Sequence, residues 1–372
     1  MPRPTAVGRL AYLSMETLLP GRAGYTHVHE IIDGLETLGW EVSRFLARRA
    51  DNSAPGRPIG RLPEHVRVLS RLIPQLRHHD VLYVRSHPLA WPAAMAAYRA
   101  GLTVVHEING VPEDLGVTYP WLRPMNRQLF LLQTAQYRKA QAIFAVTPGL
   151  VSWAHEVAPG LPAYLIPNGA NLSLFTPSGP KYIHPKPYVL FVGGLVRWHG
   201  IDTILAALRN DAWPPDTYLV VAGDGSEGNA LATAEAETPR LVWLRRQEYG
   251  AIPSLLRGAL AALVPISNPD GRSNHGVLPV KLFEAMACGT PVIVSDLPGQ
   301  AELVRQIDAG LVIPMDDAPA LAKSVALLRQ NELLAQRLGK AGAAAAHRAH
   351  GWQHRARQVH DVLIGLRTRV PA

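Results

Sequence analysis

The chain has 372 residues, 48% of them hydrophobic, and this length predicts two domains of about 150–200 residues each. Its formal net charge of +8 favours anionic partners such as nucleotides or phospholipid surfaces, although basic residues scattered over a solvated surface explain the charge equally well. The single cysteine, Cys288, excludes a disulfide framework and a cysteine-based metal cluster, and no nucleic-acid-binding motif is present.

The N-terminal stretch "MPRPTAVGRLAYLSMETLLPG" contains an apolar segment that Gly8 and Arg9 interrupt. It is too short and too polar for a signal peptide or a membrane span, and no later apolar run is long enough to cross a bilayer. We therefore expect a cytoplasmic protein.

Strands and helices alternate along the first half of the chain. "VGRLAYLS" is typical of a strand, and apolar residues then recur at helical spacing from about Thr26 to Leu38, where Gly39 ends the predicted helix. Further strands are expected at "WEVSRFLA", "DVLYVRS", "LTVVHEI" and "AQAIFAVT", with helical segments between them.

The second half repeats this alternation, beginning with the strand "YVLFVGG" and the helix "IDTILAAL". Strands that alternate with helices predict a parallel sheet with helices on both faces. The expected fold class is therefore α/β, with two doubly wound, Rossmann-like domains whose parallel sheets face a central cleft.

The segment "NLSLFTPSGPKYIHPKP", rich in Pro and Ser, is the best candidate for the linker between the domains. We expect an N-terminal domain over residues 1–177 and a C-terminal domain over residues 178–350. Residues 351–372 form a last helix, which we expect to pack back on the first domain.

Ligands of open parallel sheets bind beyond the carboxyl ends of the strands, so the loops there are candidates for the site. Gly193 and Gly194 stand between a strand and a helix, where backbone N–H groups at a helix N-terminus suit a diphosphate, and Arg197 and His199 add positive charge. The spacing G-x-G-x-x-G is absent, so this is not the dinucleotide fingerprint. The alternative is an ordinary strand-to-helix turn in which His199 and Trp198 pack locally. Gly24 likewise stands at the start of a helix that follows the first strand, so backbone N–H groups there are also expected to face a ligand.

Polar side chains end a buried strand in "VVHEINGVPED". His106, Glu107 and Asn109 are in a suitable position for catalysis or for recognition of sugar hydroxyl groups. The alternative is that these side chains stabilise the loop or cap a helix. His27 and His29 lie two residues apart on a predicted helix, so they point to different faces, which argues against a metal pair.

Lys281 and Glu284 lie three residues apart in "GVLPVKLFEAMACGTPVIVSD", so they share one face of a predicted helix. Glu284 can accept hydrogen bonds from the vicinal hydroxyl groups of a ribose, and Lys281 can meet a phosphate. The alternative is an intrahelical ion pair worth about a few tenths of a kcal/mol.

Several of these segments together resemble the retaining glycosyltransferases of family 4, which have the two-domain GT-B fold. The resemblance lies in "AGYTHVHEIIDGLETLGWEV", "IPNGANLSLFTP", "FVGGLVRWHGID", "VVAGDGS" and "LPVKLFEAMACGTPVIVSDLPGQAELV", in the family's order and over nearly the whole chain. It implies transfer of a sugar from a nucleotide-diphosphate donor with retention at the anomeric carbon. It also implies that no metal ion and no cofactor besides the donor is needed.

The resemblance assigns roles to particular residues. Glu284 matches the glutamate that holds the donor ribose, Gly24 matches the loop near the donor phosphates, and Gly193 with Gly194 matches the phosphate turn. The residues expected to bind the donor are Gly24, Gly193, Gly194, Arg197, His199, Gly223, Gly276, Val277, Leu278, Lys281 and Glu284. The catalytic candidates are Asn109, Glu107 and Lys281.

The chain departs from the family's pattern at four positions. Gly194 stands where the family usually has an arginine, His199 where it has a lysine, and Gly276 where it has its first glutamate. The family's first-domain histidine falls near Asn109. The strings "WHG", "P-x-K-L-F-E" and "E-I-N-G" resemble one branch of the family, in which Lys281 and Arg197 would take over neutralisation of the phosphates.

Two other functions compete with this hypothesis. A non-catalytic protein that binds sugar nucleotides on the same fold is consistent with the loss of the family's usual arginine, lysine and glutamate. A nicotinamide dehydrogenase is disfavoured by the missing glycine fingerprint and its ribose-binding acid. The acceptor, expected on the first domain, is a hydroxyl group of a glycan, a lipid-linked molecule or a small molecule. The segment "YPWLRPMNRQLFLLQTAQYRKA" is either a membrane-contacting surface or a buried helix with an arginine-bearing outer face.

Overall fold

A computed structural model of the chain describes residues 7–47 and 62–368. Contacts between residues divide the chain into two compact units. The first unit comprises Met1–Pro20, Gly24–Pro167 and Gln353–Ala372, and the second comprises Gly21–Ala23 and Asn168–Trp352. Each unit is built around one parallel sheet of six strands, which confirms the predicted α/β class.

The first sheet has the strand order β2-β1-β3-β4-β5-β6, and the second has the order β12-β11-β10-β7-β8-β9. Neighbouring strands in both sheets pair in parallel, so every connection between them has to cross over a face of the sheet. The strands are β1 (Gly8–Ser14), β2 (Trp40–Leu46), β3 (Val81–Arg85), β4 (Thr103–Ile108), β5 (Ala142–Ala145), β6 (Ala163–Leu165), β7 (Tyr188–Val192), β8 (Tyr218–Ala222), β9 (Leu241–Trp243), β10 (Ala261–Val264), β11 (Val292–Ser295) and β12 (Gly310–Ile313).

Helices make these crossovers and cover both faces of each sheet. They are α1 (Ala23–Thr37), α2 (Leu62–Leu72), α3 (Trp91–Arg99), α4 (Asp114–Thr118), α5 (Asn126–Tyr137), α6 (Pro148–Val157), α7 (Ile201–Leu208), α8 (Gly228–Glu237), α9 (Ile252–Gly258), α10 (Val280–Ala287), α11 (Gln300–Ile307), α12 (Ala318–Gln330), α13 (Glu332–Ala349) and α14 (Trp352–Arg367). Short 3-10 turns lie at Ile73–His78, Pro88–Ala90, Pro120–Met125, Arg197–His199, Tyr249–Ala251 and Pro269–Gly271. Within the described ranges, every helix falls short of the length and apolarity that a bilayer-spanning segment requires.

The core of the first unit follows directly from its sequence pattern. Every residue of β3 and β4 is buried, as expected for central strands with helices on both faces. The helix predicted from Thr26 to Leu38 is α1, and its apolar residues Val28, Ile31, Ile32 and Leu35 are fully buried. The periodicity therefore predicted both the helix and the face that it packs.

The second unit has one hydrophobic cluster on each face of its sheet. Alternate residues of β7 divide between them: Tyr188 and Leu190 belong to one cluster, and Val189 and Phe191 to the other. Helix α10 is buried along its whole length except at Lys281. A helix that is apolar on nearly every side has to lie inside the unit, and α10 therefore holds its two charged residues against the core.

The boundary predicted between residues 177 and 178 lies inside the second unit. Residues 168–177 group with that unit because Phe175 is fully buried in its core, and Asn168 Nδ2 donates a hydrogen bond of 2.8 Å to the Leu278 carbonyl. Residues from Gln353 onward group with the first unit. There Trp40 Nε1 donates to His360 Nδ1 of α14 over 3.1 Å.

Gly34 of α1 and Ala356 of α14 meet so closely that a Cβ at position 34 would collide with the Cβ of Ala356. We expect Gly34→Ala to lower the free energy of unfolding by about 1–2 kcal/mol, because overpacking outweighs the gain in helix propensity. Gly365→Ala, in α14 with nothing within 4 Å of the new Cβ, is the matched control and should be neutral or stabilising by up to about 1 kcal/mol. Urea denaturation followed by circular dichroism checks both, and equal stability of the two variants would contradict the prediction.

Candidate functional site

The strand order of the second sheet reverses between β7 and β10. Chain connections leave in opposite directions at such a point, and the crevice that results at the carboxyl ends of the strands is where ligands bind in open parallel sheets. The turn after β7 and the loop from β10 into α10 meet this crevice. They carry most of the residues that the sequence assigns to the donor.

Two glycine loops pack backbone against backbone at this edge. Gly223 has φ +157, and a Cβ there would strike the Gly193 carbonyl oxygen, while a Cβ at Gly225 would strike the Leu195 carbonyl oxygen. The Gly193 amide donates to the Ala222 carbonyl over 3.0 Å and the Leu195 amide donates to the Asp224 carbonyl over 2.8 Å. Gly223 is therefore a packing residue.

This arrangement occupies two of the backbone amides near the expected phosphate turn. The amides of Gly193 and Leu195 are used inside the protein, and α7 begins only at Ile201, after a 3-10 turn over Arg197–His199. The sequence pattern suggested that the turn opens directly into a helix N-terminus, and in the structure it does not. Positive charge for a phosphate has to come mainly from side chains.

His199 does not supply that charge. Its Nδ1 lies 2.6 Å from the Gly194 carbonyl oxygen, and since a carbonyl only accepts, Nδ1 carries the proton and donates. Burial, reinforced by the nearby Lys281 charge, lowers the pKa of His199 to about 3, so the ring is neutral at pH 7. The prediction that His199 adds positive charge is wrong. The residue instead stabilises the turn through its hydrogen bond to the Gly194 carbonyl. Arg197 is exposed.

Lys281 projects from the first turn of α10 toward this turn. Its Nζ is buried, makes no hydrogen bond to any residue within 7–47 and 62–368, and lies 4.1 Å from the centroid of the Phe191 ring. Nζ is also 3.2 Å from the position that a Cβ on Gly193 would take. Burial lowers the pKa of Lys281 to about 7, although Glu284 opposes the shift. A buried ammonium without an acceptor is costly, which points to an anionic ligand.

Glu284 lies one helical turn after Lys281 and is 5% exposed. Tyr249 donates a hydrogen bond of 2.8 Å from its hydroxyl group to Glu284 Oε1, and its ring packs on Phe175 with 5.3 Å between the ring centroids. The sequence reasoning missed Tyr249, although its place in a loop after a strand of the second sheet was a usable signal. The phenol orients the carboxylate that the sequence assigns to a ribose.

The segment Gly276–Leu278 is held by its backbone. Gly276 has φ +83, and a Cβ there would lie 2.8 Å from the Pro298 carbonyl oxygen, so this conformation does not accommodate a glutamate. The Val277 amide donates to the same carbonyl over 2.8 Å, and Leu278 is 7% exposed. The structure thus gives a physical reason for glycine at position 276.

In the first unit, Glu107 is the centre of a buried polar network at the carboxyl ends of β1, β3 and β4. Arg85 is its direct neighbour in the register of β3 and β4, and Arg85 Nη1 donates to Glu107 Oε1 over 2.5 Å. The other groups that contact the carboxylate are Asn109 Nδ2 at 2.6 Å, Tyr83 hydroxyl at 2.8 Å, His27 Nε2 at 2.9 Å and Tyr12 hydroxyl at 3.3 Å. Burial alone would raise the pKa of Glu107, but His27 and Arg85 outweigh it and hold that pKa well below its usual range.

Glu107 therefore does not fit the role of a catalytic residue that contacts substrate. It is 2% exposed, and both of its oxygen atoms already accept hydrogen bonds. The loop-stabilising alternative accounts for its contacts, and Glu107 also fixes Asn109, which is half-buried. His106 is fully buried, and burial lowers its pKa to about 3.

The remaining predicted residues of the first unit lie around this network. Gly24 lies in the first turn of α1, where a Cβ would be 3.7 Å from Arg85 Nη2, an ordinary contact distance. His27 is buried against Glu107, whereas His29 Nδ1 lies 2.9 Å from the Tyr25 carbonyl oxygen, so the two histidines do point to different faces.

Two family models match the chain. The model described as Glycosyltransferase Family 4 matches residues 25–174, and the model described as Glycosyl transferases group 1 matches residues 180–345. A phosphatidyl-myo-inositol mannosyltransferase of Mycobacterium leprae is 30% identical over 215 residues, which cover 56% of this chain and 55% of that protein. The chain thus spans about half the length of that relative. The protein of the same name from Mycolicibacterium smegmatis is 26% identical, over 85% of this chain and 83% of that one.

Solved structures show the same fold. A sucrose-phosphate synthase from Thermosynechococcus elongatus superposes with a TM-score of 0.77 at 19% identity, covering 97% of this chain and all of that one. The structure of Anabaena HepE in complex with UDP-glucose superposes with a TM-score of 0.72 at 16% identity, covering 96% of this chain and all of that one. At these identities the likeness concerns the fold alone.

The Glu107 network predicts that replacing Glu107 costs much more folding stability than replacing the exposed Glu41. Glu107→Gln leaves the buried Arg85 charge with only the half-exposed Glu16 as a counter-charge, and we expect it to lower the free energy of unfolding by about 3 kcal/mol. Glu41→Gln breaks an ion pair with Arg9 in which both side chains are 62% exposed, so its cost should stay below about 1 kcal/mol. Chemical denaturation of the two variants measures the difference. Similar losses in the free energy of unfolding for both variants would show that Glu107 does not stabilise the first unit through its network.

Proposed function

We propose that this chain, which belongs to the GT-B glycosyltransferases of family 4, transfers a sugar from a nucleotide-diphosphate sugar of the UDP or GDP type to a hydroxyl group of an acceptor. The acceptor is a glycan, a lipid-linked molecule or a small molecule. The structurally similar protein HepE has been solved in complex with UDP and with UDP-glucose, which supports a donor of this class.

The observation that carries the proposal is the buried Lys281 ammonium beside the Gly193 turn. When a glycosyl group leaves its donor, negative charge develops on the diphosphate, and a cation already in place stabilises that charge without reorganisation. Glu284 lies one turn further along α10, where its carboxylate can accept hydrogen bonds from the two ribose hydroxyl groups. Phosphate and ribose recognition thus come from one helix.

The mechanism that we infer retains the configuration at the anomeric carbon. The bond from the anomeric carbon to the phosphate oxygen breaks, and its electron pair stays with the diphosphate. The acceptor oxygen forms the new bond on the same face of the sugar, and its proton passes to a phosphate oxygen of the donor. Because the donor phosphate acts as the base and Lys281 supplies positive charge, this route requires neither a protein carboxylate, a metal ion nor a cofactor.

The burial of Glu107 supports this route, because the carboxylate at the end of β4 is occupied by its own network. Asn109, which that network holds in place, is the residue we assign to contact the acceptor or the donor sugar.

A peripheral membrane contact is also part of the proposal, on the surface formed by the 3-10 turn Pro120–Met125 and α5. Trp121, Met125 and Leu131 are between 47% and 55% exposed there, and Arg127 and Arg138 are exposed beside them. The sequence contains no Asp or Glu from Leu115 to His155. Aromatic and aliphatic side chains with exposed arginines beside them complement an anionic lipid surface, so we propose that occupant.

The donor site is tested by nucleotide binding. In a thermal-shift titration against UDP, GDP, ADP and TDP we expect one nucleotide to stabilise the protein, by about 2.7 kcal/mol at 100 times its dissociation constant. Lys281→Met should abolish that shift and sugar transfer, whereas Lys340→Met, the same change at an exposed position of α13, should alter neither. Equal binding by the two variants, or no shift with any nucleotide, would refute the assignment. Binding without transfer or donor hydrolysis would instead support the non-catalytic alternative.

The same lysine predicts a pH dependence. Its pKa in the folded protein is lowered to about 7, so the side chain loses its proton as the pH rises above that value. The diphosphate favours the charged form, and the dissociation constant of a UDP- or GDP-sugar should therefore increase above pH 7, by at most about tenfold per pH unit. Calorimetric titration between pH 6 and 9 measures the slope. A flat profile for the wild-type protein would contradict the role of Lys281.

The membrane contact is tested by sedimentation with lipid vesicles. We expect the protein to pellet with vesicles that contain anionic phospholipid, and the bound fraction should fall with added salt and in the Trp121→Ala, Leu131→Ala double variant. Ile183→Ala removes an apolar side chain that is 88% exposed in the second unit, and it should bind as the wild type does. Equal binding to neutral vesicles, or no binding to either kind, would contradict the proposed lipid surface.

A further inference from the structure

Arg22 belongs to the short segment Gly21–Ala23, which groups with the second unit. Its Nη2 lies 2.8 Å from Asp224 Oδ1, and its Nη1 donates to the Asp224 carbonyl oxygen over 3.4 Å. Asp224 stands between Gly223 and Gly225 in the loop after β8, which packs on the turn after β7. The ion pair therefore brings the guanidinium to the turn that faces Lys281.

The guanidinium fills the space that a side chain at position 194 would occupy. A Cβ built on Gly194 would lie 2.7 Å from Arg22 Nη1, while its next neighbours, atoms of the His199 ring, are 3.9 Å away or further. Gly194 has no left-handed φ, unlike Gly193, so its backbone would accept an ordinary residue. Glycine at this position leaves the space to the arginine.

Two cations thus flank two successive residues. Lys281 Nζ lies 3.2 Å from the Cβ position of Gly193, and Arg22 Nη1 lies 2.7 Å from that of Gly194. Successive Cα atoms are about 3.8 Å apart, so both charges lie beside a stretch of chain no longer than a diphosphate. His199, neutral at pH 7, adds no third charge, and the proximity of Lys281 and of Arg22 helps to lower its pKa.

We propose that Arg22 binds the diphosphate of the donor together with Lys281, one cation for each phosphate, with Arg22 at the phosphate that a nucleoside monophosphate lacks. The inference rests on the proposed function, because it takes the ligand to be a nucleoside diphosphate. A guanidinium has five N–H donors in a fixed fork, so it can contact Asp224 and a phosphate at once. The side chains of Arg22 and Asp224 are 39% and 46% exposed, and such a half-exposed pair is weak enough for its geometry to adjust when a phosphate binds.

The test compares a diphosphate with a monophosphate of the same base. Calorimetric titration of the full chain uses whichever of UDP, GDP, ADP and TDP the wild type binds most tightly, and then the matching monophosphate. Arg22→Ala should weaken diphosphate binding by about tenfold or more and monophosphate binding by less than about threefold. Arg209→Ala breaks another surface pair of the second unit, with Glu237 at 3.4 Å, and should change neither affinity. An equal loss for both ligands would show a structural role for Arg22 and overturn the inference.

Two further variants use the space at position 194. Gly194→Ala should displace the Arg22 guanidinium and weaken diphosphate binding in an otherwise wild-type protein. Gly194→Arg placed in the Arg22→Ala background should restore diphosphate affinity to within about threefold of the wild type, because the new side chain enters the same space. Failure of this double variant to bind, with an unchanged melting temperature, would overturn the geometric argument.

The two proposals fail in different ways. If the wild type binds none of the four diphosphates, the proposed function is wrong, and the inference on Arg22 is wrong with it. If the wild type and Arg22→Ala bind a diphosphate equally well, only the inference on Arg22 is wrong.

Discussion

The candidate donor site of the second unit depends on the contact between two glycine loops. Only a residue without a Cβ can stand at Gly223 or Gly225, because the carbonyl groups of Gly193 and Leu195 occupy the space. This contact sets the turn after β7 at a fixed distance from the turn after β8, and the ring of His199 locks it from within through the Gly194 carbonyl. Lys281 and Arg22 then approach a turn whose backbone is held by these contacts.

The two units use charge in opposite ways. In the first unit, Glu107 is buried with its counter-charges, and the network stabilises the ends of three strands without offering the carboxylate to a substrate. In the second unit, the Lys281 ammonium is buried with no hydrogen-bond acceptor among the described residues. A satisfied buried charge organises the fold, whereas an unsatisfied one is a cost that a ligand of opposite sign relieves. This contrast is the physical basis for assigning ligand binding to Lys281 and a positioning role to Glu107.

Most of the fold could be predicted from the sequence, because strand and helix periods are local properties. The apolar stripe of α1 and the two parallel sheets followed from them. The arrangement of the candidate site was predicted less completely. Lys281 and Glu284 followed from helical spacing, but the neutral state of His199 and the burial of Glu107 depend on residues far away in the chain. Tyr249 contacts Glu284 across 35 positions, a distance at which no local pattern acts.

The sequence by itself therefore determined the α/β class, the alternation of strands and helices, and the loops that carry the candidate site, since each follows from the spacing of apolar residues and glycines. Only the tertiary structure decided which charged groups are available to a ligand and which are already paired within the protein. Burial and partners set the protonation of a histidine or lysine, and both arise when distant strands come together. The approach of Arg22 to Gly194 is of the same kind, because 172 positions separate the two residues and only the packed loops bring them into contact.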